Sequence, residues 1–355
     1  DALMKNPTER INYATDNTIA IIEGQANQRM RVKMATVMRK LDLRNMLREA
    51  KDPYRALMSI ANPTPGTKII NNLNLQEKVV LSRLTSKLDE FILTLGKGNI
   101  TGTRFGNKVT RPVIKSQQEK FDLMNDLIRE LYEPGVTKND TASRLAKAWS
   151  ESSEYARLLY NQQGGNIKYN AKWALPQPHN AGKVINATYE VWRKHMDDFI
   201  DKNAMLDDVT GLPMTEAKLE RTLRSVYDSI TTEGRNKVDN SVTAQTFGTG
   251  TSIAKRHQEH RRLFFKNGDA YMQYQKLYGE NDIFDVMMNH MRSMSKDIAT
   301  MQVLGPDADS TVRFLQNEIM QIMDARVRAN PTTAAKERKR ADKASGIFET
   351  MYGLH

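Results

Sequence analysis

The sequence predicts an all-α protein: a multi-helix elongated or bundle architecture with long loops and at most one short β-hairpin. Two observations carry that expectation. Apolar residues recur three and four positions apart along most of the chain, the spacing that aligns one face of an α-helix. The alternating β-branched runs that mark strands do not occur. The hairpin candidate is the glycine-punctuated stretch GKGNITGTRFGNKVT at 96–110.

In chain order, a long helix is expected over 18–50, with Met30, Met34, Val37 and Leu41 on one side and arginines and lysines elsewhere. A short helix follows at 53–60. Leu81, Leu84, Leu88, Phe91 and Leu95 form the next apolar stripe. Helices are then expected over 114–132, 140–162 and 181–204, followed by the stripe Leu219, Leu223, Val226 and Ile230 and a helix over 253–278. The most regular pattern is Phe284, Met287, Met291, Met294, Ile298 and Met301, spaced 3-4-3-4-3 after a cap at Asn281 or Asp282. Gly305-Pro306 stops that helix. Val312, Leu315, Ile319 and Ile322, and a helix over 332–351, complete the set.

The chain has 355 residues, enough for one large or two smaller domains. Loops are expected at 61–67, 133–140, 162–182 and 238–252. The third carries Trp173, Pro176 and Pro178 and makes the best boundary, giving a helical subdomain over 1–165, a linker at 166–182 and a second helical subdomain over 183–355. No fixed-period repeat is present. The chain starts at Asp1 without an initiator methionine and stops just after the apolar IFETMYGL, which suggests a piece of a longer protein.

Composition excludes some chemistry. With no cysteine there is no disulfide, no thiolate catalysis and no cysteine-ligated zinc. No run approaches the roughly 18 apolar residues that span a bilayer, and DALMKNPTER lacks the apolar core of a signal peptide. Lysine and arginine outnumber aspartate and glutamate by 53 to 42, a net charge of +11, so polyanions are the expected partners: nucleic acid or anionic lipid surfaces.

Four motifs invite chemistry and fall short of it. His257 and His260 share a helix face, but Gln258 stands where a zincin has its glutamate, the spacing is one short, and nearby arginines would repel a cation. The Glu151-Ser152 pair resembles the general-acid motif of lytic transglycosylases, yet LLYNQQGGNIKYN follows where that family continues with a Gly-Leu-Met-Gln-like stretch. Asp197, Asp198, Asp201, Asp207 and Asp208 lack the ligand offsets of a calcium loop and read as a solvated, acidic helix end. GTGTS at 248–252 has neither the lysine nor the preceding strand of a phosphate loop. Accordingly no cofactor, metal or catalytic residue is assigned.

Basic density is better supported. Residues 29–51 carry Arg29, Arg31, Lys33, Arg39, Lys40, Arg44, Arg48 and Lys51 against Asp42 and Glu49, a net of +6. Residues 326–343 carry Arg326, Arg328, Lys336, Arg338, Lys339, Arg340 and Lys343 against Glu337 and Asp342, a net of +5. A third cluster, Lys255, Arg256, Arg261, Arg262 and Lys266, flanks Phe264 and Phe265. A single cluster is most simply a solvated helix face; three together favour phosphate-backbone contact without base readout. The methionine stripe, with Phe264 and Phe265, is expected to pack helices or to mediate assembly, since methionine fills irregular gaps and tolerates repacking.

One segment carries a resemblance. Arg261, Arg262, Phe264 and Phe265 are followed by a tyrosine turn, Asp269, Tyr271, Tyr274, Tyr278 and Gly279, and by a helix ending in Ala299, Met301, Gly305 and Pro306. This order resembles a segment of the long internal virion proteins of tailed bacteriophages. The resemblance implies a mostly helical structural protein stored with the genome in the capsid and delivered to the host envelope at infection. It further implies self-assembly, contact with other virion proteins, non-specific contact with double-stranded DNA and transient contact with the host membrane. Two other readings stay open: an intracellular helical nucleic-acid-binding module of a polymerase or packaging protein, and a peptidoglycan lytic transglycosylase using Glu151. In the leading reading Phe264 and Phe265 meet DNA or a neighbouring subunit, and Gly279 lets the chain turn.

Overall fold

The computed structural model describes residues 7–62, 72–95, 116–170, 172–207, 209–232, 253, 263–279 and 282–353. Among them are twelve α-helices and no strand; the only β-type pairings are isolated bridges, Ile200 with Phe265 and Leu206 with Pro213. The helices are α1 (Pro7–Glu49), α2 (Pro53–Ala61), α3 (Leu73–Thr85), α4 (Asp89–Leu95), α5 (Gln117–Tyr132) and α6 (Asp140–Gln162). They continue with α7 (Ala181–Phe199), α8 (Glu216–Thr231), α9 (Gly268–Tyr278), α10 (Ile283–Leu304), α11 (Ala308–Ala329) and α12 (Ala334–Gly353). The all-α expectation is met. The hairpin candidate at 96–110, the phosphate-loop candidate at 248–252 and the pair His257 and His260 lie outside the described residues.

Local chemistry sets most helix starts. Asp52, Asn72, Ser116, Asn139, Asn180, Thr215, Asn267, Asp282 and Asp307 each stand outside the first turn with the side-chain oxygen accepting a backbone N–H that the helix leaves unpaired. Asp282, not Asn281, caps α10 by accepting from the Asp285 amide. At the other end Gly305, with φ 88°, takes the left-handed backbone that stops the helix.

Several expected helices differ in extent: α1 begins at Pro7 rather than at 18, and α7 ends at Phe199 rather than at 204. The stripe from Leu81 to Leu95 is split by a turn at 86–88 into α3 and α4, although Leu84, Leu88, Phe91 and Leu95 are all buried. The break costs the stripe nothing, because the Leu88 amide bonds back to the Thr85 carbonyl and a second helix starts on the same core side. Of the helix expected over 253–278, the described part is α9 from Gly268, and 254–262 lie outside the described residues. Residues 263–267 are extended instead: the Asp201 amide donates to the Phe264 carbonyl and the Lys266 amide to the Phe199 carbonyl, which ties this stretch to the end of α7.

The methionine-rich α10 runs through the middle of the molecule and packs on α1, α3, α6 and α11. It is buried on several faces, at Val286, Met287, Met288, Met291, Met294, Ile298, Met301, Val303 and Leu304 among others, as a central helix must be. On one side α1, α2, α11 and α12 pack together; on the other, α5, α6, α7, α8 and α9 do. Helices from both sides of 166–182 therefore interlock: α2 with α12, α3 with α10, α5 with α9. One buried apolar cluster runs from Leu43 to Phe348 and takes in Ile167 and Leu175 of the expected linker itself. That stretch is a covered crossing over a shared core rather than a gap between two.

Candidate nucleic-acid interface

Of the basic residues on α1, Arg29, Arg31 and Lys33 are exposed, and Arg31 and Lys33 form no ion pair among the described residues. Arg39 is half-buried. Lys40 is spoken for internally, with its ammonium donating to Ser310 Oγ and lying 5.7 Å from the Phe314 ring centroid. Arg31 and Arg39 flank a cleft of about 210 Å³ whose walls include Gln28 of α1, the segment Asn161–Gly165 that ends α6, and Met301, Gly305 and Pro306. Approach is close here: a Cβ on Gly164, which has φ 104°, would meet Pro306 at 3.0 Å. The Gly305-Pro306 element thus shapes one wall of a basic cleft, a role that the sequence pattern did not reveal. The adjacent glycines at 164 and 165 were the signal that could have marked it, since paired glycines after a helix permit such an approach.

On α12 the basic cluster divides. Arg338 and Lys339 are exposed and unpaired among the described residues. Arg340 is structural, which corrects its assignment to a binding surface: it donates to Asp52 at 2.7 Å, lies 3.5 Å from Glu337 and stacks 4.8 Å from the Tyr54 ring centroid. Tyr54 donates its hydroxyl to Glu337 at 2.7 Å, and Arg326 covers the other approach to the ring at 5.8 Å. This network joins α2, α11 and α12. Burial, then the hydrogen bond to Glu337, pushes the Tyr54 phenol far above its ordinary pKa. Because Arg326 and Arg340 turn in with Glu337, the solvent face of this segment is slightly less basic than its sequence count.

The third cluster contributes least. Lys255, Arg256, Arg261 and Arg262 lie outside the described residues. Lys266 is exposed with its ammonium donating to the Asp197 carbonyl at 2.9 Å. Phe265 is buried, which fits the packing role and not contact with DNA or a neighbouring subunit, and Phe264 is half-buried. Phe265 instead joins a packed aromatic hub, 5.5 Å from Tyr271 and 5.2 Å from Tyr274 between ring centroids.

The tyrosine turn is the rest of that hub. Tyr271 donates to the Pro176 carbonyl at 2.8 Å, Tyr274 pairs with His179 Nδ1 at 2.8 Å, and Tyr278 pairs with His195 Nδ1. Asp269 receives Arg129 Nε at 3.0 Å. Gly279 does not supply a special turn conformation: its φ of −114° is open to any residue. It supplies room, since a Cβ there would lie 1.9 Å from the buried Gln275 side chain, and its carbonyl accepts from Lys183. Gly268 is tighter, with a Cβ placed 2.9 Å from the Arg129 backbone, so α9 and α5 meet almost backbone to backbone.

The stripe assigned to packing or assembly is packing. Met287, Met291, Met294, Ile298 and Met301 are buried within this single chain, and the half-buried Phe284 stacks on Phe91 at 5.5 Å. Conversely, Met30, Met34, Val37 and Leu41, the apolar side of α1 in the sequence, are exposed. The inward face of α1 is formed instead by Gln28, Thr36, Leu43 and Leu47, with Val32 and Met46 packed beside them.

The carboxylates that the sequence singled out are mostly held in ion pairs. Glu151 is exposed and ion-paired with Lys87 at 2.7 Å, and that hydrogen bond and charge lower its pKa, whereas a general acid needs an apolar pocket that raises it. Asp197 pairs with Arg193 and Lys202, Asp201 with Lys172 and Asp207 with Lys218. These ion pairs offset the charge of Asp197, Asp201 and Asp207, while Asp197 and Asp198 are exposed at the end of α7, in keeping with a solvated acidic helix end; Asp208 lies outside the described residues. No group of three or more potential metal ligands occurs among the described residues, and no described helix is long and apolar enough to cross a membrane.

No protein-family model matches the chain, and searches of curated proteins and of solved structures find no match.

Proposed function

We propose that this chain is a structural internal virion protein of a tailed phage, one that assembles with itself and other virion proteins and holds double-stranded DNA through its phosphates during genome delivery. The observation that carries the DNA part is the division of the basic residues. Arg340 and Lys40 are consumed by internal bonds, while Arg31, Arg338 and Lys339 stand exposed on two different helices with no carboxylate partner among the described residues. Unpaired guanidinium and ammonium groups on rigid helices suit phosphate contacts and carry no base code. The cleft between Arg31 and Arg39 has amide side chains nearby and is suited to one backbone phosphate. The virion placement rests on the resemblance of the 260–309 segment, which supports storage with the genome, release toward the host envelope and transient membrane contact.

The test is duplex binding measured across a salt series. Affinity should be indifferent to sequence and fall steeply with salt. The combined variant Arg31→Glu, Arg338→Glu and Lys339→Glu should bind at least about tenfold more weakly, with a logarithmic salt slope shallower by about 3. Unchanged affinity, or salt-insensitive binding to one sequence, would overturn the reading. A chain that binds DNA in this way but never associates with itself would instead favour the intracellular nucleic-acid-binding module.

A further inference from the structure

The long helix α1 presents an apolar face to solvent. Among the described residues, seven large exposed apolar side chains fall on this one helix: Ile19, Ile22, Met30, Met34, Val37, Met38 and Leu41. Elsewhere such residues are scattered, as on any protein surface. The face lies well round the helix from Gln28, Val32, Leu43 and Leu47, which pack inward, and none of the described residues covers it.

Its spacing indicates what does. Thr15, Ile19, Ile22, Ala26, Met30, Met34, Val37 and Leu41 follow one another at intervals of 4-3-4-4-4-3-4, a series that reads the same in both directions. A stripe with that symmetry is complementary to itself when a second copy lies antiparallel, with each residue facing the one whose number completes a sum of 56. Ile19 then meets Val37, Ile22 meets Met34 and Ala26 meets Met30, twice each about a two-fold axis level with Gln28. The mean interval is close to the pitch of a straight helix, so two straight helices stay in contact without marked supercoiling.

Charge agrees with the same arrangement. Residues 7–28 of α1 carry Glu9, Asp16 and Glu23 against Arg10, whereas residues 29–49 carry seven arginines and lysines against Asp42 and Glu49. Antiparallel pairing lays the acidic half of one copy on the basic half of the other; parallel pairing sets like on like. In the register of 56, the exposed Glu23 falls opposite the exposed Lys33. Arg31 lies on the cleft side of the helix and stays outside the seam.

We infer that α1 is the dimerisation element of this protein, pairing antiparallel with α1 of a second copy about a two-fold axis at Gln28. This deepens the self-assembly half of the proposed function, and it can fail without affecting the DNA half. An isologous contact of this kind closes on itself as a dimer and leaves the rest of each copy free for further partners.

Two measurements on the full chain test it. Mass photometry should give twice the 40.5 kDa of one chain. Met34→Glu places a charge opposite Ile22 twice within the seam and should weaken association by more than about 100-fold, while Phe121→Glu, on the exposed face of α5, leaves it unchanged. Far-UV circular dichroism should be the same for both variants, because Met34 is 61% exposed in the single chain. The chain has no cysteine, so a nitroxide on a single introduced cysteine reports unambiguously. Ile19→Cys and Val37→Cys should each show a label-to-label distance near 27 Å, the rise of about 18 residues.

A monomer at micromolar concentration, a dimer indifferent to Met34→Glu, or labels within about 10 Å as parallel helices would place them, would each overturn the inference. So would a monomer whose Met34 face binds anionic phosphatidylglycerol vesicles, which would make the occupant a lipid surface.

Discussion

Glu130 shows how one buried carboxylate closes a connection. It accepts from the Thr137 hydroxyl at 2.6 Å and from the backbone N–H groups of Gly135 at 2.6 Å and Thr137 at 2.8 Å, which fixes the loop between α5 and α6. The Thr137 hydroxyl, then these amides, hold its pKa below the usual range against the opposing effect of burial. A carboxyl with a lower pKa in the folded than in the unfolded chain contributes stability above the unfolded value, about 4.3, and loses it as pH falls through the folded value. Glu130→Gln should therefore cost about 1–3 kcal/mol near neutral pH, and the gap to the unaltered chain should narrow under acid. Urea unfolding at several pH values checks this; a gap that stays constant would show that the charge plays no part. Nothing in the sequence marked Glu130, because its donors are gathered by a turn whose shape only the fold supplies.

At the level of helices, α1 and α10 make an instructive pair. Both carry methionines at helical spacing, and the same period gives opposite outcomes. On α10 apolar residues occupy several faces, and tight connections at Asp282 and Gly305 hold it among α1, α3, α6 and α11. On α1 a single methionine stripe competes with a second face carrying Leu43 and Leu47, and the leucine face wins the core. Met291→Ala on α10 should cost about 2–5 kcal/mol through the cavity it leaves. Met320→Ala, 41% exposed on α11, should stay within about 0.5 kcal/mol. Thermal melts of the two variants test this, and a small effect at Met291 would mean that α10 repacks without strain. The helix itself was legible in the sequence; the identity of the face that would be covered was not.

For the molecule as a whole, the shared core has a consequence for cutting the chain. Residues 183–355 alone would keep α7 to α12 and lose α2, α3, α5 and α6, against which α12, α10 and α9 pack. Expressed alone, that half should lack a cooperative melt and expose apolar surface to a hydrophobic dye. A sharp transition with dye-silent behaviour would show instead two self-sufficient domains. The same long-range packing sorts the basic residues: Arg338 and Lys339 reach solvent, while Arg340, next in sequence, is drawn into the network with Asp52, Tyr54 and Glu337. Surface charge is thus a property of the folded molecule that residue counts only approximate.

The sequence by itself determined what depends on neighbours along the chain: the helical class, most helix starts through Asn, Asp, Ser and Thr caps, the stop at Gly305-Pro306, and the basic excess. These are fixed by hydrogen bonds and backbone preferences within a few residues. Only the tertiary structure decided which stripe is core and which is surface, that Phe265 and the tyrosine turn form a buried hub, and that Gly279 and Gly268 are spaces rather than hinges. Periodicity says which residues share a face. What that face meets is set by contacts between residues far apart in sequence, as where Tyr54 reaches Glu337 or Gly268 lies against Arg129.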